Sequence, residues 1–227
     1  MSETFNLQRR LVAEALGSAL LVATVVGSGI MAESLTKDVA LALLGNTLAT
    51  GAVLVVLISI LGPISGAHFN PVVSLIAAAR RDMPMREAGL YSVAQIIGCI
   101  AGALMAHLMF DLPVIQMSQK LRTGGAQWFS EGVATFGLIL TILAGVKFNR
   151  VAVPWLVGLY ITAAYWFTAS TSFANPAVAI ARSLTNTFSG IRPLDVPGFI
   201  LAEIVGAALA ALLAGWLLKS DPAQPQT

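Results

Sequence analysis

The chain has 227 residues, of which 57% are hydrophobic and only 11% are charged, and its net charge is +2. This composition excludes an ordinary soluble domain and indicates an integral membrane protein. The small net charge gives no reason to expect a nucleic-acid partner. The single cysteine, Cys99, excludes a disulfide framework and a cysteine-rich metal site.

Apolar runs follow one another along the whole chain, and a helix that spans a bilayer needs roughly 20 residues. The first run, 11–31, follows Arg9 and Arg10 and is too long for the core of a signal peptide. We predict six full spans, over 11–31, 38–61, 87–110, 128–146, 152–169 and 197–218. Two further apolar segments, over 70–79 and 175–184, are too short to cross.

Both short segments begin with Asn-Pro. The motifs are Asn70-Pro71-Val72 and Asn175-Pro176-Ala177, and they lie 105 residues apart. Asparagine is a favoured helix N-cap and proline suits the first helical position. The sequence therefore predicts two half-length helices that begin at Asn70 and Asn175.

Other pairs of segments recur at a similar spacing. AQIIG at 94–98 matches AEIVG at 202–206, and EALGS at 14–18 resembles EGVAT at 131–135. A tandem duplication explains these matches. We predict a first repeat over 1–112, a connecting loop over 113–125, a second repeat over 126–219 and a polar tail over 220–227.

The basic residues predict the orientation. If both termini are cytoplasmic, eight basic residues lie inside and five outside, a bias in the expected direction. The inside set is Arg9, Arg10, Arg80, Arg81, Arg86, Lys147, Arg150 and Lys219, and the outside set is Lys37, Lys120, Arg122, Arg182 and Arg192. With three spans in each repeat, the second repeat is inverted, and the two short segments enter from opposite faces.

Irregular backbone at membrane depth is tolerated only where it is buried in protein or lines a water-filled cavity, so two re-entrant segments predict a lumen. Two half-helices whose N-termini point at the midplane place positive dipole ends and the amides of Asn70 and Asn175 at one spot. This arrangement repels cations and accepts a neutral molecule with acceptor oxygens. The sequence predicts a conduit for uncharged solutes.

These features resemble the major intrinsic proteins, the aquaporin and glycerol-channel family. The resemblance rests on both Asn-Pro motifs, the SGAHFNP approach to the first, the Ala94-Gln95-x-x-Gly98 pattern, and Glu14 and Glu131 near the starts of spans one and four. It implies an all-α membrane fold of six helices plus two re-entrant half-helices, a pore in each subunit and a homotetramer.

The chain departs from the family where the pore is narrowest. After the second motif, Val178 stands where the family has an arginine. The family's spacing assigns Thr50, Ala163 and Ser172 to the other positions of this selectivity filter. All four residues are small and uncharged, which predicts an unusually wide, arginine-free mouth. The alternative is that Arg182, one helical turn beyond Val178, serves as a displaced arginine.

A wide mouth favours glycerol, urea or trihydroxylated metalloids over strict water selectivity. The filter is similar to that of bacterial aquaglyceroporins that occur with arsenic-resistance genes and pass arsenite and methylated arsenicals. The resemblance thus implies small neutral solutes and the lipid bilayer as partners, with some water passing. A plain water channel is the alternative. The implied location is the bacterial inner membrane.

Glu14 and Glu131 lie inside apolar helices and could form a proton relay or an ion site. The family resemblance implies instead that they accept hydrogen bonds from the re-entrant backbone, and Gln95 and Glu203 are interpreted in the same way. His68 is expected to shape the cytoplasmic pore lining, and pH gating is the alternative.

Other classes of function have less support in the sequence. An ion-coupled secondary transporter also uses inverted repeats and broken helices, but the spans carry no charged network beyond Glu14, Glu131 and Glu203. An enzyme is not expected, because no Ser-His-Asp set, HExxH motif or glycine-rich phosphate loop is present. A structural or adhesive role with a closed pore is a further alternative. No cofactor or metal is expected.

Overall fold

A computed structural model describes residues 5–220, and helices account for most of that range. The α-helices are α1 (Leu7–Leu35), α2 (Val39–Ser65), α3 (Pro71–Ala79), α4 (Met85–Met109), α5 (Gly125–Phe148), α6 (Val153–Phe167), α7 (Pro176–Arg182) and α8 (Val196–Leu217). No strand occurs within the described residues. The fold class predicted from the sequence, all-α with two short inserted helices, is confirmed. Most of the predicted polar tail, 221–227, and the first four residues lie outside the described range.

Several helices, among them α1, α2 and α6, differ from the sequence-based boundaries, and α1 runs over Leu7–Leu35 against the predicted 11–31. Within residues 5–220, five helices are long and apolar enough to cross a membrane, whereas α6, the predicted fifth span, has only 15 residues and follows a short 3-10 turn over Arg150–Ala152. Helix α2 continues past Gly62 and Pro63, which we expected to end it, and runs to Ser65. It stops at Gly66, whose left-handed φ of 92° is one that glycine adopts without steric cost.

Side-chain caps fix several helix starts. Asn6 Oδ1 accepts the N–H of Arg9 at 3.0 Å, and Asp38 Oδ1 accepts the N–H of Ala40 at 2.8 Å. Each cap satisfies a backbone donor that has no partner within the helix. In this apolar chain the polar residues between spans therefore set where the helices begin.

Glycines let two pairs of long helices pack at backbone distance. A Cβ atom on Gly98 of α4 would lie 2.2 Å from the carbonyl oxygen of Ala15 in α1. A Cβ on Gly206 of α8 would likewise lie 2.2 Å from the carbonyl oxygen of Gly132 in α5. Small residues at such positions are typical of membrane helix interfaces. The α1–α4 and α5–α8 pairs correspond to each other in the two predicted repeats.

The half-helices α3 and α7 join the two halves of the fold. Helix α3 packs against α4 and α8, and α7 packs against α8 and α4, so each contacts the last long helix of both predicted repeats. Helices α3 and α7 also contact one another. This packing places the two Asn-Pro motifs side by side in the interior.

Candidate functional site: a pore between the two half-helices

The two Asn-Pro motifs bind to each other's loops. Asn70 Nδ2 donates to the carbonyl oxygen of Ala174 at 2.7 Å, and Asn175 Nδ2 donates to the carbonyl oxygen of Phe69 at 2.8 Å. The side-chain oxygen of each asparagine caps its own half-helix, with Asn70 Oδ1 3.0 Å from the N–H of Val72. The predicted half-helix starts at Asn70 and Asn175 are therefore present.

These bonds fix the orientation of both carboxamides. A side-chain NH₂ group has two N–H donors, and the cross-bond uses one of them. The second N–H of Asn70 and of Asn175 is left for a molecule in the cavity that both residues line. The neighbouring half-helix N-termini add positive dipole ends at the same place. The centre of the pore therefore offers hydrogen-bond donors and an unfavourable potential for cations.

The loops that lead into the motifs have unusual backbone conformations. Ala67 and Phe69 have φ values of 50° and 48°, and Ser172 and Ala174 both have φ of 49°. Non-glycine residues rarely adopt this left-handed region, and they hold it only where the surroundings enforce it. The enforcing contacts come from buried carboxylates on the long helices.

Glu14 on α1 supports the first loop. Its carboxylate accepts the backbone N–H groups of His68 at 3.0 Å and Phe69 at 2.7 Å, together with the hydroxyl of Ser65 and the side-chain amide of Gln95. The side chain is completely buried and does not line the cavity. These contacts support the loop-binding interpretation of Glu14.

Two carboxylates support the second loop. Glu131 on α5 accepts the N–H groups of Phe173 at 2.9 Å and Ala174 at 2.7 Å. Glu203 on α8 accepts the N–H of Asn175 at 2.9 Å. Neither side chain lines the cavity. The second loop is therefore held by carboxylates from two helices, and the first loop by the carboxylate of Glu14.

A cavity of about 610 Å³ passes between the half-helices. Asn70, Asn175 and three of the four predicted filter residues, Thr50, Ser172 and Val178, contribute to its lining. Buried residues of the motifs, namely Pro71, Val72, Pro176 and Ala177, lie outside the lining. The part of the cavity beside α7 that is lined by Thr50, Ser172, Val178 and Arg182 is called the α7 mouth below.

The prediction for Ala163 is wrong. Ala163 is exposed on the outer surface of α6, and Ile161 and Tyr165 line the cavity instead. Two residues along a helix correspond to about 200° of rotation, so a count that is off by two points to the opposite face. The prediction counted residues back from Asn175 and assumed that the segment between α6 and Asn175 has the length that is usual in the family. Tyr165 also contacts Thr50 through their hydroxyl groups at 3.4 Å.

His68 lines the cavity on the side of α3. Its Nδ1 lies 3.0 Å from Ser74 Oγ, and its ring packs edge-on against Tyr91 at 5.6 Å between centroids. Arg80, Lys147 and Arg150 contribute to the lining at the same end. Asp82, 3.5 Å from Arg80, also contributes to the lining, so three basic residues and one carboxylate leave an excess of positive charge, which favours neutral or anionic molecules over cations.

The α7 mouth contains a residue that the predicted filter did not include. Arg182 lines the cavity and is only 2% exposed. Its guanidinium carbon lies 3.3 Å from the centroid of the Phe173 ring, and Nε donates to the carbonyl oxygen of Ser189. The alternative raised by the sequence, an arginine one turn beyond Val178, therefore has a structural counterpart. Phe173, like Ile161 and Tyr165, is a lining residue that the sequence did not indicate.

Within residues 5–220, no group of three or more histidine, cysteine, aspartate or glutamate side chains is placed to hold a metal ion. The polar side chains that line the cavity are amides, hydroxyls, the His68 imidazole, the Asp82 carboxylate, the Lys147 ammonium group and the guanidiniums of Arg80, Arg150 and Arg182. They can bind and release a polar solute by hydrogen bonding.

Comparison with known proteins agrees with this geometry. Residues 1–150 match the family described as Major intrinsic protein. Aquaglyceroporin AqpS of Rhizobium meliloti is 67% identical over 98% of this chain and 95% of its own length. Probable aquaporin AqpM of Archaeoglobus fulgidus is 29% identical over 95% of this chain and 99% of its own.

A solved structure shares the fold. The aquaglyceroporin of Plasmodium falciparum superposes with a TM-score of 0.70, covers 94% of this chain and 97% of its own, and is 22% identical in sequence. The structure has two half-helices joined through reciprocal asparagine hydrogen bonds, with a cavity between them. Together with the sequence matches, this shows that the chain belongs to the major intrinsic protein family and is a passive membrane channel for small solutes.

Proposed function

We propose that this channel is an aquaglyceroporin that passes small uncharged solutes: glycerol, arsenite or methylated arsenicals, and some water. The observation that carries the proposal is the 67% identity, over almost the whole chain, to a protein named as an aquaglyceroporin. Arsenous acid carries three hydroxyl groups and no charge at neutral pH, so it offers a channel the same kind of hydrogen-bonding groups as glycerol.

The chemistry of the lining supports this class of solute. Ile161, Val178 and Phe173 offer apolar surface for a carbon backbone, while Asn70 and Asn175 each retain an amide donor for hydroxyl oxygens. A mostly apolar cavity with a few fixed polar groups is typical of a site that orients a small molecule without holding it tightly. The positive half-helix ends disfavour cations.

Proteoliposomes test the proposal. Stopped-flow light scattering would compare glycerol entry with entry of mannitol, a longer polyol, and arsenite uptake would be measured from total internal arsenic. We expect glycerol and arsenite to enter faster than in protein-free liposomes, with mannitol unchanged. Water flux without glycerol or arsenite flux would contradict the proposal.

A plain water channel is the second candidate. Tyr165, Ile161 and Phe173 are bulkier than the small filter residues predicted from the sequence, and all three line the cavity. Bulky side chains at a constriction favour water over polyols. The same experiment separates the two candidates, because only an aquaglyceroporin passes glycerol.

We also propose a homotetramer in the bacterial inner membrane with both termini cytoplasmic. The family resemblance supports the assembly, and the excess of basic residues on the side of the termini supports the orientation. Native mass spectrometry would test the assembly. Protease accessibility of tags on the termini of inverted and right-side-out vesicles would test the orientation.

A further inference from the structure

Arg182 has an unused donor beside the cavity. Its Nη1 atom is buried and has no hydrogen-bond partner among the described residues, although Nε is bound to Ser189. A buried guanidinium donor without an acceptor is costly, and a polar solute or water can satisfy it. Because Arg182 lines the cavity, that acceptor can arrive through the pore.

Arg122 provides an internal comparison. Its guanidinium carbon also faces the Phe173 ring, at 5.2 Å, but its donors are engaged with backbone oxygens. Nε binds the carbonyl oxygen of Gly190 at 2.9 Å and Nη1 binds that of Ser170 at 3.0 Å. Arg122 is not among the residues that line the cavity. Arg122 therefore secures the second loop, whereas Arg182 faces the cavity.

A second unpartnered group lies near Arg182. Ser172 Oγ is buried without a hydrogen-bond partner in the described structure, lines the same cavity and directly precedes Phe173. The hydroxyl can donate to or accept from a solute hydroxyl. Two unsatisfied polar groups at one mouth make a site for a polyhydroxylated molecule.

The charges around Arg182 reinforce its effect on ions. The pKa of Lys120, in the connection between α4 and α5, is lowered by desolvation of its ammonium group and by the positive charges of Arg122 and Arg182. Three cationic side chains are thus close enough to repel one another. A cation that enters the α7 mouth meets the same repulsion, because the neighbouring carboxylates of Glu131 and Glu203 are bonded to backbone N–H groups and lie outside the lining.

We infer that Arg182 is the residue that determines the selectivity of this pore. It lies over Phe173, one helical turn beyond Val178, and presents Nη1, together with Ser172 Oγ, to a solute hydroxyl. Its positive charge excludes cations. The inference rests on the proposed function, because it assigns the residues that bind that function's solutes. It also predicts that this channel, with valine at the family's arginine position, still excludes ions.

The test compares Arg182→Met, Arg182→Lys and the control Arg86→Met, at an exposed arginine of α4 that does not line the cavity, with the wild type in proteoliposomes. Methionine matches the length of the side chain and can pack on the Phe173 ring without charge. Proton entry under a valinomycin-imposed potassium potential would be measured with an internal pH dye, alongside glycerol and water flux. Gel filtration and thermal unfolding in detergent would establish that each variant is folded.

We expect Arg182→Met to raise proton permeability relative to glycerol permeability by at least about tenfold, because a buried charge at the mouth is removed. Arg182→Lys should keep the wild-type proton permeability but change the glycerol-to-water ratio by about threefold or more, since the fixed planar donors are lost. Arg86→Met removes an exposed positive charge outside the lining and should stay within about threefold of the wild type in both ratios.

A folded Arg182→Met with wild-type ratios would overturn the inference and leave Arg182 as a packing residue. If Arg182→Met does not fold, Arg182→Lys decides, and an unchanged glycerol-to-water ratio in that variant overturns it. A wild type that passes neither glycerol nor arsenite contradicts the proposed function instead, so the two failures are distinguishable.

Discussion

Gln95 Nε2 lies 2.8 Å from Glu14 Oε2, and both side chains are fully buried between α1 and α4. The same carboxylate oxygen accepts the N–H of Phe69 at 2.7 Å. Glu14 therefore couples the two long helices to the loop whose carbonyl oxygen, on Phe69, receives the bond from Asn175. Through this carboxylate the geometry at the pore centre depends on the α1–α4 packing.

Glu14→Gln should destabilise the protein and lower solute flux. An amide nitrogen in place of Oε2 would face two donors, the N–H of Phe69 and the side-chain amide of Gln95, and each buried donor left unpaired costs about 1–3 kcal/mol. The measurement is thermal unfolding in detergent together with glycerol uptake. Glu33→Gln, an exposed change on the same helix, is the matched control. Equal behaviour of the two variants would contradict the role given to Glu14.

Gly98→Ala should separate α1 from α4. The added Cβ would lie 2.2 Å from the carbonyl oxygen of Ala15, and backbone atoms must shift to remove that clash. We expect a loss of about 1–3 kcal/mol or more in stability, the usual cost of overpacking. Gly89→Ala on the same helix has no atom within 4 Å of its new Cβ and serves as the control.

The two alanine variants give opposite expected signs. Alanine is a better helix former than glycine by about 1 kcal/mol, so Gly89→Ala should be neutral or slightly stabilising. The melting temperature in detergent checks both variants. A Gly98→Ala protein as stable as Gly89→Ala would show that the helices do not need this close approach.

Val178→Arg should restrict the α7 mouth. Val178 lines the cavity near Arg182, so a longer cationic side chain reduces both the open cross-section and the tolerance for larger solutes. We expect glycerol flux to fall by about tenfold, or about 1.4 kcal/mol in barrier height, with a smaller effect on water. Val178→Met adds length without charge and separates size from electrostatics. Glycerol flux that is unchanged in Val178→Arg would mean that Val178 does not contribute to the constriction.

Sequence reasoning located the parts of the site that depend on local chemistry. Asn70 and Asn175 could be assigned because an Asn-Pro helix start has a known capping geometry. Glu14 and Glu131 stood out because carboxylates are rare inside apolar helices. The doubling of these features made the arrangement of the long and short helices predictable.

The residues that the sequence did not reveal are apolar or depend on loop length. Ile161 and Tyr165 face the pore from α6, but lipid-facing positions of a membrane helix are as apolar as interior ones, so periodicity cannot separate the two faces. The contact of Arg182 with Phe173 depends on how the chain turns after α6. A count of residues from Asn175 contains no information on the course of the chain in this turn, and it therefore placed Ala163 in the pore in error.

Passive conduction is the central claim, and the concentration dependence of glycerol uptake into proteoliposomes tests it most directly. The initial rate would be measured over a wide range of external glycerol, with and without imposed proton and sodium gradients. For a channel, we expect the initial rate to rise linearly with glycerol concentration and to be independent of both ion gradients. Saturation of the rate at low glycerol concentration would contradict passive conduction. Accumulation of glycerol against its concentration gradient when an ion gradient is imposed would also contradict it, and either result would indicate an ion-coupled transporter.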